Sequence, residues 1–532
     1  FWLKHSALLK PSAQAINAMG AGASSTLKTA SDADVKMHIN SLPKEESAKL
    51  VQALHLLGGR PRGVQQMCSQ HATQHFDSSR AVPKKVVTNI LEGLRSVPSS
   101  ANTQPWTIVV VQGDKKAQLA TKLVAKFDAN DAGTTEYADL PRSMIPRMEK
   151  AVAEYKKDQQ ATLEGTKSAI ASAPLHILVT APTGPCLKED PPVDGVFLDM
   201  GSAMTAISMC AHDMGLGVHP EFSVAKHGDV YKEVLGDEFP EDHFVVCAIS
   251  LGFPENARDP RVVPVNGCLN RLPVDETTRW INCDSAWLSA PPAPVTPNAR
   301  GLMHLVSSRH CSHTLDTTKV VPKDVLSDVL SAARYVTSIC NSQPWSVTVI
   351  QGEARDKLSK AMLDYFDAGN NGGQSYKKYS TQNTTRMQKG KDQYGFELYE
   401  QRHGLQRDDA EGRRQKYRPN YEFWGATVLL LLNIPKSSVA GTFVDVGSYM
   451  YGILVAMHAY GLGGKPLGSV AKFTDLCREI LGEEAMPNDE HLVCGICIGY
   501  PKDGRDPRET PDWFPSRLTM EETSRFVSND WA

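Results

Sequence analysis

The sequence predicts an α+β protein made of two tandem copies of one domain. A chain of 532 residues is too long for a single hydrophobic core, which suggests at least two domains. Segments of the first half recur in the second half in the same order. In both halves, patterns typical of helices alternate with patterns typical of buried strands. The duplication therefore organises the rest of the chain.

The repeat extends over most of each half. SSANTQPWTIVVVQG in the first half matches SICNSQPWSVTVIQG in the second, and FLDMGSAMTAISMCAHDMGLG matches FVDVGSYMYGILVAMHAYGLG. Further on, VYKEVLGDEFPEDHFVVCAISLGFP matches LCREILGEEAMPNDEHLVCGICIGYP. The constant order and nearly constant spacing of these matches indicate a duplication of about half the chain.

Each copy is predicted to open with an amphipathic helix. Apolar residues share one face of a helix when they recur every three or four positions. This spacing is found at Val86, Val87, Ile90 and Leu94 in the first copy, and at Val325, Leu326, Val329 and Leu330 in the second.

Strand candidates follow each Gln-Pro-Trp, because short runs rich in β-branched and aliphatic residues are typical of buried strands. They are residues 107–111, 175–180 and 244–250, with counterparts 346–350, 427–432 and 492–498. A long apolar helix separates the second and third candidates of each copy, over residues 196–214 and 443–460. Each helix ends at Gly-Leu-Gly, as a left-handed C-terminal cap requires.

Composition limits the kind of partner. A net charge of −3 provides no general basic field for nucleic acid, so small molecules are the expected partners. The longest apolar run, residues 428–434, is too short for a membrane span. Eleven cysteines without a disulfide framework favour a reducing, intracellular location, either cytoplasmic or in an organelle such as a plastid or mitochondrion. Cys494 and Cys497 form a C-x-x-C, which we interpret as strand packing, and we expect no metal site.

Four segments are predicted from these patterns. Residues 1–60 form an N-terminal extension, whose Ser/Ala-rich, slightly basic start is typical of either an organellar targeting remnant or a disordered tail. The first domain spans 61–287 and the second 301–532. Residues 288–300, LSAPPAPVTPNAR, are Pro-rich and suit a semi-rigid linker.

Taken together, the motifs resemble the nitroreductase family. They are the helix end Ser-Ser-x-Asn-x-Gln-Pro-Trp, the Asp-x-Gly helix ending in Gly-Leu-Gly, the strand ending in Gly-Phe/Tyr-Pro and a later Arg-Leu. The resemblance implies an FMN-dependent fold with a mostly antiparallel sheet flanked by helices. Family members are intimate dimers with flavin at the subunit interface, so this chain would form that dimer within itself and could be monomeric.

The resemblance also implies a reaction. NADH or NADPH would reduce the flavin, and a nitroaromatic, quinone or related small acceptor would reoxidise it. Because the flavin carries the chemistry, no catalytic side chain is expected. The sequence does not distinguish NADH from NADPH, since neither copy has a Gly-rich dinucleotide fingerprint.

By the same resemblance, one composite site keeps most of its flavin-binding residues. The phosphate clamp of the second copy would meet the Pro-Ser-Ser segment of the first. The clamp residues are Arg309, His310, Cys311, His313 and Arg517, of which Cys311 replaces a usual Ser and His313 a usual permanent cation. The facing residues are Pro98, Ser99, Ser100 and Asn102.

The other composite site is degraded. Its clamp reads Gln70, His71, Gln74 and Arg271, and it would face Thr337, Ser338, Ile339 and Asn341. Losing two cationic contacts to a phosphate costs several kcal/mol, at roughly 1.5 to 3 for each charged hydrogen bond. The hypothesis is therefore one FMN per chain.

Two other functions stay open. One is a reductive dehalogenase-like activity on a halogenated aromatic. The other is a non-catalytic, flavin-binding or scaffold protein, motivated by the departures at Gln70, Gln74, Ile339 and Cys311. We also interpret Asp199 and Asp445 as caps of the long apolar helices, and the segments 136–148 and 375–387 as solvated helices or as a cover over the flavin.

Overall fold

The computed structural model describes residues 60–134, 140, 143–188, 193–255, 271–282, 301–373 and 376–527. The Pro-rich linker and residues 1–59 of the N-terminal extension lie outside the described residues. So do residues 136–139, 141 and 142 of the segment 136–148, and residue 375 of the segment 375–387, which are called the first and second cover segments below. The predicted role of those parts of the chain stays a prediction.

The first copy alternates helices and strands, as its sequence patterns predict. Its helices are α1 Arg62–Ser69, α2 Lys84–Leu94, α3 Gly113–Asp128, α4 Pro146–Lys157, α5 Gln159–Ser172, α6 Thr183–Leu187, α7 Asp194–Asp213, α8 Gly228–Leu235 and α9 Val274–Thr277. Its strands are β1 Thr107–Val111, β2 Leu175–Pro182, β3 Gly217–Glu221, β4 His243–Gly252 and β5 Thr278–Ile281.

The second copy repeats this order, but among the described residues it has no counterpart of the short helix α6. Its helices are α10 Leu302–Ser308, α11 Lys323–Ala333, α12 Gly352–Asp367, α13 Thr385–Gly395, α14 Ala410–Tyr417, α15 Ala440–Ala459, α16 Thr474–Leu481 and α17 Met520–Thr523. Its strands are β6 Ser346–Ile350, β7 Val428–Pro435, β8 Gly463–Leu467, β9 Glu490–Gly499 and β10 Ser524–Val527.

Each copy provides four strands of a five-stranded sheet and receives the fifth from the other copy. The strand orders are β10-β1-β2-β4-β3 and β5-β6-β7-β9-β8. Pairs within a copy are antiparallel, whereas the exchanged strands are parallel, with Val527 opposite Val111 and Ile281 opposite Ile350. The predicted α+β class, with mostly antiparallel sheets flanked by helices, is confirmed.

All six predicted strands form, and four further strands were missed. β3 and β8 read GVHPE and GGKPL, and their glycine and proline are depleted in strands. Both lie at a sheet edge, where proline is tolerated because one side of the strand needs no partner. The exchanged strands β5 and β10 have only four residues each, too few to show alternation.

The two copies are joined by the long apolar helices α7 and α15. The contact is made backbone to backbone at two glycines, since a Cβ on Gly201 would lie 1.9 Å from the Val444 carbonyl oxygen, and one on Gly447 would lie 2.0 Å from that of Leu198. Ser202 Oγ donates to the Gly447 carbonyl at 3.0 Å, and Ser448 Oγ donates to the Gly201 carbonyl at 3.1 Å. The predicted pseudodimer therefore has a reciprocal, close-packed axis.

The Gly-Leu-Gly ends of these helices form as predicted. Gly215 has φ 78° and Gly461 has φ 72°, which is the left-handed conformation that favours glycine after a helix. Of the described helices, α15 alone has the length and apolar composition of a membrane span, and it is almost wholly buried against the rest of the protein. Its composition is that of a core helix.

Gly201→Ala should destabilise the fold, because the added methyl group would force the two helix backbones apart. We expect a loss of about 3 kcal/mol or more in the free energy of unfolding, the upper end of the range for overpacked cores. Chemical denaturation of the full chain measures it. Gly228→Ala is the control, because a Cβ there meets open space; equal stability of the two variants would contradict the tight helix contact.

Candidate functional site

The Ser-Ser-Ala-Asn segment forms a tight turn with unusual backbone angles. Ala101, Asn102 and Gln104 have φ of 50°, 59° and 45°, in the left-handed region that is costly for residues other than glycine. The counterpart turn repeats the pattern, with φ of 49° at Cys340 and 53° at Asn341. Such angles persist only where surrounding contacts hold them, so each turn is fixed before any ligand binds.

A buried carboxylate provides part of that support. Asp199 Oδ2 accepts a 2.8 Å hydrogen bond from the Ser100 N–H, and Asp445 Oδ1 accepts one of 3.0 Å from the Ile339 N–H. The interpretation of both aspartates as helix caps is wrong, because α7 begins five residues before Asp199 and α15 five residues before Asp445. Their function is to hold the turns.

The end of the second copy closes over the turn of the first. The Arg517 guanidinium donates to Asn102 Oδ1, and Asn102 Nδ2 donates to the Ser516 carbonyl at 3.0 Å. The Leu518 N–H donates to Gln104 Oε1 at 3.2 Å. The cross-copy pairing expected between Arg517 and Asn102 is therefore present in the structure.

Arg309 lies at the centre of this region with only 1% of its surface exposed. Its Nη2 donates to the Ser96 carbonyl of the first copy at 2.6 Å. Its Nε and Nη1 have no hydrogen-bond partner in the part of the chain that the structure describes, and the same holds for Nε of Arg517. Two guanidiniums with free donors thus meet between the copies.

All nine residues predicted for the better-preserved site line one cavity of about 910 Å³. The cavity also contacts residues that the sequence analysis did not single out. Trp424, Lys465 and Trp513 lie around His313, and Tyr394 and Tyr399 come from the segment after the cover. Of the second cover segment, Tyr376, Lys378 and Tyr379 line the wall. Lys465 lies two residues after the Gly-Leu-Gly motif and Trp424 lies before the strand β7, and neither position predicts a pocket.

A longer connection in the second copy builds the outer wall. Residues 158–174 connect α4 to β2, whereas residues 396–427 connect α13 to β7 and are about twice as many. This longer segment contains a π-helical turn at Phe396–Gln401 and the helix α14. π-Helical turns are rare in proteins, and those that occur are often found at functional sites.

The predicted degraded site has a different structure. The Gln74 side chain packs on α5, where a Cβ on Gly165 would lie 2.5 Å from the Gln74 amide carbon. Gln70, the counterpart of Arg309, is half-buried, and its buried Nε2 has no hydrogen-bond partner among the described residues. Arg271 donates to Asn341, as Arg517 does to Asn102, and also to the Tyr335 carbonyl at 3.3 Å. In the first copy, α5 occupies space beside the clamp.

The remaining residues of that site have local contacts. His71 Nδ1 lies 3.0 Å from the Ser69 carbonyl, and His310 Nδ1 lies 3.2 Å from the Ser308 carbonyl in the same arrangement. Ser338 Oγ accepts a hydrogen bond from the Gln343 N–H at 3.2 Å. The two sites therefore share their backbone framework and differ in charge.

The cavity between the copies has the properties of a site for a phosphorylated heterocycle. Its volume of about 910 Å³ lies within the range of cofactor pockets. The free donors of Arg309 and Arg517 suit a phosphate, because guanidiniums bind its oxygens in pairs. The residues present therefore fit FMN. Among the described residues, no group of three or more His, Cys, Asp or Glu could hold a metal.

Comparison with known proteins agrees with the repeat. The Nitroreductase family model matches residues 69–253 and 306–500, well over half of the chain. A 4-nitrobenzoate reductase of Nocardioides sp. (strain LMS-CY) is 28% identical over 216 residues, covering 40% of this chain and 83% of that protein. A chloronitrobenzene nitroreductase of Comamonas testosteroni is 26% identical over 212 residues, covering 39% and 88%. One copy thus corresponds to most of one relative.

The solved structures that resemble this chain include the FMN-dependent nitroreductase NfnB from Mycobacterium smegmatis in complex with NADPH. That structure is 24% identical, covers 42% of this chain and 97% of its own, and has a TM-score of 0.38.

Asp199→Asn should stabilise the protein at alkaline pH. Burial raises the pKa of Asp199 to about 7, while the Ser100 N–H and Lys378 act in the opposite direction. Because this pKa is higher in the folded than in the unfolded chain, the carboxyl favours folding below about pH 4 and loses that contribution as the pH rises through 7. The asparagine keeps a hydrogen-bond acceptor without the charge.

We expect the variant to gain at least about 1 kcal/mol over the parent at pH 8, and less at pH 5. Urea unfolding at both pH values measures this difference. Asp408→Asn is the control, because that side chain is exposed. A gain that is the same at both pH values would show that Asp199 does not titrate in this range.

Proposed function

This chain belongs to the nitroreductase family, and we propose that it is an FMN-dependent oxidoreductase. It takes electrons from NADH or NADPH and passes them to a nitroaromatic compound, a quinone or a related small acceptor. The observation that carries the proposal is the cavity between the copies that all nine residues expected to hold the flavin line. The relatives of this chain include reductases of 4-nitrobenzoate and of chloronitrobenzene, which supports a nitroaromatic acceptor.

The roles of the side chains follow from their contacts. Arg309 and Arg517 would bind the phosphate through donors that have no partner within the described chain. The turn at Ser100–Asn102 presents a rigid edge, since Ser99 Oγ accepts from the Gln104 N–H at 2.9 Å and Asp199 holds Ser100. This edge would orient the flavin ring. Bound FMN supplies the electron transfer, so the protein provides orientation and charge.

The outer wall suits anionic, aromatic reactants. Phe396 and Tyr379 are each 44% exposed at the cavity, which leaves ring surface for stacking. Lys391, Arg407 and Lys416 also line it, as do Asp392 and Glu400, but within the described ranges no ion pair joins any of the three cations to a carboxylate. Nicotinamide cofactors carry a pyrophosphate, and a nitrobenzoate carries a carboxylate, so both would be attracted here.

The residues of the first copy suit a structural role better than flavin binding. Gln70 and Gln74 lack the charge of a phosphate clamp, and α5 packs on Gln74. We therefore propose that the first copy completes the sheet and the flavin site of the second, and holds no flavin of its own.

The purified protein should contain one FMN per chain. Arg309→Ala should reduce that content below about one tenth, because the loss of a charged hydrogen-bond donor in a buried site costs roughly 1.5 to 3 kcal/mol or more. Gln70→Ala, at the matching position of the first copy, should leave it unchanged. Visible absorbance, with identification of the flavin released on denaturation, gives the count.

Two FMN per chain would mean that His71, Arg271 and backbone donors suffice in the first copy. A colourless protein that takes up no added FMN would sink the oxidoreductase proposal and leave a scaffold role.

The acceptor class is tested by oxidation of NADPH and of NADH at saturating FMN. We expect 4-nitrobenzoate to have a higher kcat/KM than the neutral 4-nitrobenzamide, since the two share a ring and differ in the charge that the outer wall would attract. The Arg407→Gln/Lys416→Gln double variant should reduce this preference severalfold. Rapid halide release from a halotyrosine, with slow nitro reduction, would favour the dehalogenase alternative instead.

A further inference from the structure

We propose that Lys465 provides the positive charge at the bound flavin that His313 cannot provide, an inference that rests on the proposed function. The nitroreductase resemblance places a permanent cation at position 313, where this chain has a histidine. The structure places a lysine from the edge strand β8 on the same part of the cavity wall. The positive charge has thus moved from the N-terminal clamp to the sheet.

His313 lies in surroundings that keep its ring uncharged. The ring contacts Trp424 edge-on at 4.8 Å and Trp513 at 6.1 Å. Its backbone N–H donates to Asp512 Oδ2 at 2.8 Å, but its Nδ1 lies 3.5 Å from the same oxygen, which is long for a hydrogen bond. Burial and Lys465 lower the pKa of His313 to about 4, although Asp512 acts in the opposite direction. At neutral pH the imidazole is therefore neutral.

Lys465 has the access and the surroundings of a ligand-facing cation. Its Nζ lies 4.4 Å from the centre of the Trp424 ring, on the wall that His313 also lines. Among the described residues, no carboxylate lies within ion-pair distance of it. The nearby Asp512 already accepts from Arg505 at 3.1 Å and faces Arg402 at 3.7 Å.

The charged and titratable groups around Lys465 come from several elements. Burial, with a smaller contribution from Arg402, lowers the pKa of Lys465 below its ordinary value, although Cys311, Cys497 and Asp512 act in the opposite direction. An ammonium stays charged over a much wider pH range than an imidazolium does. Of the two candidates on this wall, the lysine is the one suited to meet an anion at neutral pH.

The first copy has a histidine at the position that corresponds to Lys465. β3 and β8 pair with β4 and β9 in the same register, which makes His219 the counterpart of Lys465. His219 Nδ1 lies 3.1 Å from the Thr73 carbonyl, and its Nε2 lies 3.3 Å from Thr166 Oγ1 on α5. Both of its ring nitrogens are used within the protein. The free cation is thus found in the copy whose clamp retains its arginine.

The test uses the full chain stripped of flavin and titrated with FMN and with riboflavin, followed by quenching of flavin fluorescence. Lys465→Met removes the charge and keeps a flexible stem of similar length. We expect it to raise the Kd for FMN by at least about 10-fold, or to lower the midpoint potential of the bound flavin. Lys319→Met, a lysine outside the cavity wall, is the control and should change neither quantity.

The two flavins distinguish where the ammonium acts. If it faces the phosphate, Lys465→Met weakens FMN but not riboflavin. If it faces the ring, both flavins weaken together and the midpoint potential becomes more negative, because a positive charge stabilises the electron-rich reduced ring. The proposal is overturned if FMN affinity and midpoint potential both equal those of the parent. Failure of the parent itself to bind FMN would instead reject the proposed function.

A second variant separates loss of charge from loss of structure. Lys465→Met/His313→Lys returns a cation to the position where the family usually carries one. We expect it to recover most of the affinity or potential lost by Lys465→Met. A double variant as weak as the single one, with an unchanged thermal melt, would show that the site needs Lys465 for packing and not for charge.

Discussion

The structure depends on the close approach of two helix backbones at Gly201 and Gly447. Side chains normally keep packed helices about 8–10 Å apart. At these two positions there is no room for even a methyl group, and Ser202 and Ser448 add hydrogen bonds from each helix to the carbonyls of the other. The copies are therefore held in one relative position. The turn of one copy and the clamp of the other can then meet at distances suited to hydrogen bonds.

Fusion into one chain removes a constraint that applies to ordinary dimers. In a symmetric homodimer, each substitution appears twice and alters both sites. Here Arg309 and Gln70 occupy equivalent places but are coded separately, so one site carries a guanidinium where the other carries an amide. This difference has a local consequence, because Arg271 also donates to the Tyr335 carbonyl, the counterpart of the Ser96 carbonyl to which Arg309 donates.

The structural features that depend on neighbouring residues could be predicted from the sequence, whereas those that depend on partners distant in the chain could not. Strands such as Val428–Pro435 and the glycine caps at Gly215 and Gly461 are encoded by neighbouring residues, and they form as predicted. The strand exchange involves partners more than sixty residues apart, and no periodicity in a four-residue strand reveals it. The predicted helix begins at residue 196, whereas the helix in the structure begins at Asp194, so Asp199 lies further from the helix start than predicted. Lys465 stood in a segment whose glycines and proline do not predict a strand.

The exchange of terminal strands also determines when the first sheet can be completed during synthesis of the chain. Of the described strands β10 is made last, and it pairs with β1, so the first sheet keeps an open edge at Val111 until residue 527 has been synthesised. At about 5–20 residues per second, that wait lasts on the order of 20–80 s. An unpaired strand edge is a site for wrong association. Once residue 252 has been made, the first copy has all four of its own strands and lacks only β10 at this edge, so the exposed side of β1 is a surface that a chaperone could cover until β10 pairs with it.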